Sequence, residues 1–181
     1  MNTAFKDCTS LTSVDLSSLT TVSNEYAMNT VFYGCTNLTS VDLSSLTTIS
    51  GQNAMDGAFN GCTSLTSVDL SSLTTISGQN VMNGAFYGCS SLKTLSFPKL
   101  NNFDTQNTNQ FNNMCSGCSN INLHFRYAMK SKIEALTGYS TTAPFGASSG
   151  TVLFDLSRAE LAFNVNSEST VSIYIDGELQ S

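Results

Sequence analysis

Residues 58–70 read AFNGCTSLTSVDL, and the same pattern recurs at intervals of 27 residues elsewhere in the chain. The copies at 4–16 and 31–43 differ from it at few positions, whereas the copy at 85–97 is looser. A fixed period of this length is typical of a solenoid, in which each repeat forms one coil of a stack. One coil cannot bury its own apolar side, so its stability depends on contact with neighbouring coils.

Seven apolar positions recur in every copy and predict the core of the stack. In the third copy they are Phe59, Cys62, Leu65, Val68, Leu70, Leu73 and Ile76. In the first copy they are Phe5, Cys8, Leu11, Val14, Leu16, Leu19 and Val22. We expect each position to form a column of stacked side chains inside the solenoid.

The segments between these positions predict short strands and one longer loop in each repeat. Val14-Asp15-Leu16 alternates apolar, polar and apolar residues, which predicts a strand with Val14 and Leu16 inward. Stacked coils would align such strands in a parallel sheet with a spacing of about 4.8 Å. A second β-prone run, 19–22, predicts a strand on another face. Residues 51–59 mix Gly, Asn and Asp with apolar residues, which predicts a loop and one short helical turn that inserts Phe59.

The pattern Ala-Phe-x-x-Cys-x-x-Leu before a strand, repeated in register over residues 1–125, resembles the signature of BspA-like leucine-rich repeat proteins. The resemblance implies a right-handed solenoid of the α/β type, mainly β, with between four and five repeats. It also implies a surface or secreted protein of host-associated bacteria or of some protists, and several members are implicated in adhesion. The insertion at 51–55 lengthens the loop side relative to the usual repeat, so the loops are a second possible contact surface.

Charge excludes two classes of partner for the repeats. The 181 residues include 13 acidic and 7 basic side chains, and no Lys or Arg occurs between Lys6 and Lys93. Nucleic acids and anionic membranes are bound largely through Lys and Arg, so both are disfavoured. The uncharged stretches are interrupted by Ser, Thr, Asn and Gly, and none reads as a membrane-spanning helix of about 20 apolar residues.

The outward positions of the predicted strands form the candidate binding surface. Asp15, Asp42 and Asp69 should lie in one column, with Ser96 in the fourth copy. The remaining members are Ser13, Ser17, Ser40, Ser44, Ser67, Ser71 and Thr94. Two unit charges about 5 Å apart in water repel each other by a little less than ~1 kcal/mol, so a column of solvated carboxylates is tolerated. We hypothesise that this surface binds a basic protein segment or a cation; the sequence contains no dedicated metal or cofactor motif.

The cysteines are predicted to be buried thiols. Five of them occupy the same position of the repeat: Cys8, Cys35, Cys62, Cys89 and Cys118. Free Cys packs as a small apolar residue, and parallel side chains from adjacent coils have poor disulfide geometry. Cys115 and Cys118 form a CxxC pair, for which a redox or zinc role is the alternative. Zinc needs four ligands, however, and the chain has no second pair.

Nothing in the sequence indicates catalysis. His124, the only histidine, is predicted to be an ordinary outward residue of a strand at 121–125. No nucleophile or acid stands at a recognisable spacing from it, and neither a phosphate-binding loop nor a serine elbow occurs. We therefore predict that the protein is not an enzyme.

The repeat pattern loosens after residue 100. Residues 101–119 are rich in Asn, Cys118 falls two residues late, and 121–125 predicts a last, shortened strand. Met129, Ile133 and Leu136 share one face of a predicted helix at 127–136, which Gly138 would terminate. An open array needs such a cap over its final coil.

Further strands are predicted at 151–156, 161–165 and 171–175, and Asp176-Gly177 is a two-residue hairpin signal. We therefore expect a solenoid over 1–125, a cap over 126–158 and the start of a small β module over 159–181. Because the chain begins inside a repeat and ends close to the hairpin, we expect it to be a fragment of a longer protein.

Three functions remain open from the sequence. The first is a non-enzymatic interaction or adhesion module, located outside the cell or on its surface, that binds a host or cell-surface protein. The second is a structural spacer that carries another domain. The third is a carbohydrate-binding surface, which would need exposed aromatic residues. Tyr33 and Tyr87 are the repeated candidates for that role, but Asn60 takes the place in the third copy, which weakens the carbohydrate hypothesis.

Overall fold

The computed structural model describes residues 3–103, 109–155, 173–175 and 178–180. The repeats form a mainly β solenoid of about five coils, as the period predicts. One short helix and further strands follow the repeats.

Each of the first three coils contributes two short strands to two parallel sheets. The first sheet contains β1 (Ser13–Asp15), β3 (Ser40–Asp42) and β5 (Ser67–Asp69). The second contains β2 (Thr21–Val22), β4 (Thr48–Ile49), β6 (Thr75–Ile76) and β8 (Asn102–Phe103). In the first sheet Val14 lies opposite Val41, and Val41 lies opposite Val68. Equivalent residues therefore meet in register, 27 positions apart.

The predicted last, shortened strand is neither short nor last. It is β9 (Ile121–Arg126), six residues long, and it pairs in parallel with β7 (Thr94–Phe97) on one side. On its other side β10 (Gly150–Asp155) pairs with it along its full length. Because β9 has a partner on both edges, the sheet continues for one more coil. β7 lies beside β5 but belongs to this separate hydrogen-bonded sheet.

The long segment of each repeat is a ladder of turns, and the helical turn predicted in 51–59 is absent from it. Asn53, Gly57 and Gly61 have φ of 51°, 59° and 76°, values that no right-handed helix contains. Their N–H groups donate to carbonyls of the next coil at 2.9, 2.9 and 2.8 Å. The loop side is therefore hydrogen-bonded from coil to coil, and it places Phe59 in the core as predicted.

Phenylalanine rings form the axis of the core. Phe5, Phe32, Phe59 and Phe86 stack with centroids 5.5, 5.4 and 5.5 Å apart and with ring planes within 8° of parallel. The ring of Phe5 is 42% exposed, whereas those of the next three coils are buried. Other core positions of the first copy are also only half-buried, because one coil covers them on one side: Cys8, Leu11, Val14, Leu16 and Leu19.

The fifth coil replaces the phenylalanine of this stack. Cys115 stands at the position of Phe86, so the stack of rings ends there, and Phe111 stands in the column that Met82 occupies in the preceding coil. The Phe111 ring is buried, lies 5.9 Å from Phe97 and meets Phe145 edge-on at 5.4 Å. The core therefore continues through rings that the repeat pattern does not predict.

The predicted cap is present. A short 3₁₀ turn at Tyr127–Met129 leads into the helix α1 (Lys130–Glu134), and Met129, Ile133 and Leu136 are buried. The helix is shorter than predicted and ends before Gly138, which has φ of 82°.

The hairpin signal is also confirmed, since β11 (Ile173–Ile175) and β12 (Glu178–Gln180) pair antiparallel around residues 176–177. The strand predicted at 161–165 lies outside the described residues, and the division of the chain at 125 and 158 stays a prediction.

Candidate functional site

The first sheet presents a shallow, open depression of about 610 Å³ on the surface of the solenoid. It is lined by the same Ser-Val-Asp strand from three coils: Ser13, Val14, Asp15, Ser40, Val41, Asp42, Ser67, Val68 and Asp69. We call this surface the groove. Its three Asp side chains are exposed, and the register of the strands puts them in one column. Six of the predicted site residues are therefore brought together.

Each of these carboxylates also has a local structural role, which the sequence reasoning missed. Oδ1 of Asp15 accepts the N–H of Ser17 at 2.9 Å, and Asp42 and Asp69 do the same for Ser44 and Ser71 at 2.9 and 2.8 Å. An Asp side chain that accepts the N–H two residues on forms an Asx turn, and here it ends the strand.

These hydrogen bonds also favour the ionised form at the two ends of the column. The Ser17 hydroxyl and N–H lower the pKa of Asp15, and the N–H and hydroxyl of Ser71 lower the pKa of Asp69. Hydrogen bonds to a carboxylate favour its charged form. Asp15 and Asp69 therefore keep their negative charge in mildly acidic as well as neutral solution.

The fourth copy does not extend the groove. Thr94 and Ser96 lie on β7, which belongs to the neighbouring sheet, and they do not line the depression. Ser96 lies opposite His124, whose Nδ1 is 3.2 Å from Oδ2 of Asp155. The predicted outward position of His124 is confirmed, and its carboxylate partner from the next coil was not predicted.

A cation site is not preformed in the groove. Within the described ranges, no three His, Cys, Asp or Glu side chains converge as metal ligands would.

Four of the five cysteines in the column are buried as predicted, whereas Cys8 in the first coil is half-buried. The structure adds a hydrogen bond to each of the four buried thiols. Cys35, Cys62, Cys89 and Cys118 donate Sγ–H to the carbonyls of Phe5, Phe32, Phe59 and Phe86 at 3.0, 3.1, 3.2 and 3.3 Å. Burial raises the pKa of Cys62 to about 12. A buried thiol with a raised pKa is inert.

The CxxC pair lies in the same buried layer. Cys115 and Cys118 are both free and fully buried. A hydrogen bond between the two thiols raises the pKa of Cys115 and lowers that of Cys118. The hydrogen bond and the burial together give the pair a packing role.

A second polar ladder crosses the loop side and was not predicted. Asn29 Nδ2 donates to Oδ2 of Asp56 at 3.3 Å, and Asn83 Nδ2 donates to Oδ1 of Asp56 at 3.1 Å. Burial raises the pKa of Asp56. The signal in the sequence is the 27-residue spacing of these three residues, which places them in one column.

The described part of the chain includes no helix long and apolar enough to cross a membrane. The carboxylates of the groove form Asx turns, Asp56 belongs to a ladder, and five of the six thiols are buried in the core. Leucine-rich repeat solenoids are typically non-catalytic.

A comparison with known families identifies the repeat. The profile of the BspA type leucine rich repeat region matches residues 1–81 and 29–134, in six copies. Neither the curated proteins nor the solved structures give a significant match. The profile covers more than half of the sequence, and its repeat is the one that builds the solenoid. The chain therefore belongs to the BspA-type leucine-rich repeat family.

Proposed function

We propose that this chain is a non-enzymatic interaction module of a bacterial surface or secreted protein and that it binds a host or cell-surface protein through the groove. The coarser part of this proposal follows from the family, because leucine-rich repeats generally mediate protein interactions. BspA-type proteins are generally surface or secreted proteins, which supports the location outside the cell.

The observation that carries the proposal is the groove. Three coils present one Ser-Val-Asp strand in register over an open depression of about 610 Å³. An open surface with the same polar groups at a fixed step suits an extended basic segment better than a small molecule, which prefers an enclosed pocket. Identical contacts along the segment add up when several are made at once.

The experiment compares two variants of equal charge. Asp15→Asn, Asp42→Asn and Asp69→Asn together remove the acids of the groove, and Asn keeps an oxygen that can accept the N–H in each Asx turn. The matched control changes three exposed acids elsewhere, Asp7→Asn, Glu25→Gln and Glu134→Gln. Each protein is tested as a monomer and as a dimeric fusion against immobilised host matrix proteins and whole host cells.

We expect retention by the wild type and the control, stronger for the dimeric fusion, and a loss of roughly tenfold for the groove variant, as for removal of contacts that act together. Equal retention of all three proteins would reject the groove as the binding surface.

The structural spacer is the second candidate, and the same experiment separates it. A spacer should bind none of the matrix proteins or cells in either the monomeric or the dimeric form. If no binding is found, the regular, hydrogen-bonded stack of coils with its continuous core favours the structural spacer.

A further inference from the structure

An outward column on the loop side carries aromatic rings with one gap. Lys6, Tyr33, Asn60 and Tyr87 occupy the same position in four successive coils, one residue after the stacked phenylalanines. Tyr33 and Tyr87 are 37% and 49% exposed, whereas Asn60 is half-buried. The gap therefore lies directly between two exposed tyrosines.

The adjacent phenylalanine column gives the width of this gap. The ring of Phe59 lies 5.4 Å from that of Phe32 and 5.5 Å from that of Phe86, with near-parallel planes in both pairs. Tyr33 and Tyr87 follow Phe32 and Phe86 in the chain, so their main chains are separated by the same two steps. Because one ring fills the middle step of the phenylalanine column, the middle step of the tyrosine column is wide enough for one planar group.

Backbone hydrogen bonds hold the three coils at this spacing. The N–H of Gly34 donates to the carbonyl of Asn60 at 2.8 Å, and the N–H of Gly61 donates to the carbonyl of Tyr87 at 2.8 Å. The main-chain positions from which Tyr33 and Tyr87 project are thus fixed before any partner arrives.

The ammonium group of Lys6 already lies over one face of the Tyr33 ring. The Nζ atom of Lys6 lies 4.9 Å from the centroid of the Tyr33 ring, within the distance of about 6 Å at which a ring attracts a cation. Lys6 belongs to the preceding coil, so the opposite face of Tyr33 looks toward the coil of Asn60. That face offers the same electrostatic attraction to a second cation.

The charge of the surroundings favours a cation from a partner. The chain has a net charge of −6, and no Lys or Arg lies between Lys6 and Lys93. Among cationic side chains, the guanidinium of Arg is planar and stacks on aromatic faces, whereas the ammonium of Lys is a compact, strongly hydrated charge. A planar gap between two rings therefore suits Arg better than Lys.

We propose that Tyr33, Asn60 and Tyr87 form a slot that receives an arginine side chain of the partner protein. The guanidinium lies between the two tyrosine rings and donates a hydrogen bond to Oδ1 of Asn60. This inference rests on the proposed protein-binding function, but it concerns a surface separate from the groove.

The test is an NMR titration with acetyl-Gly-Arg-Gly-amide and with the matching peptides that contain Lys or neutral citrulline. The ring signals of Tyr33 and Tyr87 are assigned from the variants Tyr33→Phe and Tyr87→Phe. We expect the Arg peptide to shift both signals, the Lys peptide to bind several-fold more weakly and the citrulline peptide to cause no shift.

The variant Asn60→Tyr provides the sharpest comparison. It completes the tyrosine column in the same way that Phe59 completes the phenylalanine column, so its melting temperature should not fall. The Kd of the Arg peptide should rise by at least about tenfold, because the new ring covers both tyrosine faces that hold the guanidinium. The control Asn60→Ser leaves the gap open and should keep most of the binding.

Any of three results would overturn the slot. The first is that Asn60→Tyr binds the Arg peptide with the wild-type Kd, and the second is that the citrulline peptide shifts the tyrosine signals as much as the Arg peptide does. The third is that a β-linked tetrasaccharide shifts the two tyrosine signals when the Arg peptide does not. The groove variant should bind the Arg peptide like the wild type. A failure of the groove and a failure of the slot are therefore distinguished.

Discussion

The thiol of Cys62 donates to the main-chain carbonyl of Phe32 in the preceding coil, with Sγ and O 3.1 Å apart. The same carbonyl accepts the N–H of Cys35 at 3.2 Å, so both of its acceptor positions are used. This explains why the repeat carries Cys at a position where a small apolar residue would fit equally well. The thiol fills the core and satisfies a buried carbonyl at the same time.

Replacing Cys62 by Ala should destabilise the solenoid. The change removes a buried sulfur and one weak hydrogen bond, for an expected loss of about 1–2 kcal/mol in the free energy of unfolding. Cys62→Ser keeps a donor for the Phe32 carbonyl and should lose less than Cys62→Ala. Urea unfolding measures both variants, with Cys8→Ala at the half-buried first position as the control that should lose least. A serine variant less stable than the alanine variant would contradict the hydrogen-bonding role.

The thiols should differ sharply in their reactivity. In the native protein at pH 8, we expect a disulfide reagent such as DTNB to react quickly with one thiol per chain, Cys8, which is only half-buried. The others are fully buried, which keeps the reagent away from them. The pKa of Cys62 is also raised to about 12, so little of its thiolate is present. All six should react in denaturant. Two further fast thiols, of which one is lost in Cys115→Ser and both in the double variant Cys115→Ser, Cys118→Ser, would instead show an accessible CxxC pair.

The core columns and strand register could be predicted from the sequence because the period is uniform. Once Val14, Val41 and Val68 recur at equal spacing, stacking the coils places them side by side, and no other register keeps all seven apolar positions inside. The cap followed in the same way from the apolar face shared by Met129 and Ile133.

The loop side and the fifth coil could not be predicted in this way. Tyr26 and Thr30 have φ of 54° and 50°, a conformation that neither residue type favours, so local preference did not reveal the ladder of turns. Phe111 stands in the column of Met82, where the repeat pattern predicts no ring. Both features depend on contacts between coils.

Asp56→Asn should stabilise the protein at neutral pH. Burial raises the pKa of Asp56 in the folded state above its ordinary value of 3.8, so the ionised form is less favourable in the folded than in the unfolded chain. Stability from this group is present at low pH and is lost as the pH rises through the raised pKa. The gain of Asp56→Asn in melting temperature should therefore be largest near pH 7 and should shrink as the pH approaches 3.8.

The Asn83 Oδ1 atom makes this comparison more specific. It is buried and has no hydrogen-bond partner, and a rotated Asn83 amide can accept a hydrogen bond from an amide or a protonated carboxyl at position 56. Asp56→Ala, which offers neither group, should not reproduce the gain. A gain in melting temperature that is independent of pH would contradict the assignment to the Asp56 carboxylate.

Gly150→Ala should loosen the last coil. An added Cβ at this position would collide with the Ile121 carbonyl, which belongs to the paired backbone of β9 and cannot move aside. We expect a loss of about 1–3 kcal/mol in the free energy of unfolding, the usual range for overpacking. Hydrogen exchange should locate the loss in β9 and β10. The control Leu153→Thr, at an exposed apolar site on the same strand, should leave exchange in β9 nearly unchanged.

The Asx turns of the groove can be tested at Asp69. Its Oδ1 accepts the Ser71 N–H at 2.8 Å, and the hydrogen bonds from Ser71 lower its pKa below 3.8. Asp69→Ala should lose about 1 kcal/mol at pH 7, the net value of one hydrogen bond, whereas Asp69→Asn keeps an acceptor and should stay within about 0.5 kcal/mol of the wild type.

The pH dependence separates charge from hydrogen bonding at the same site. Because the folded pKa of Asp69 is lowered, its contribution is complete above pH 3.8 and is lost as the pH falls through the folded value. Chemical unfolding is measured from pH 7 down to pH 2. The difference in the free energy of unfolding between Asp69→Ala and the wild type should therefore become smaller below pH 3.8. The difference in the free energy of unfolding between Asp69→Ala and Asp69→Asn should stay constant, since neither variant titrates at position 69. If the difference between Asp69→Ala and the wild type is the same at pH 2 as at pH 7, the carboxylate form of Asp69 does not stabilise the turn.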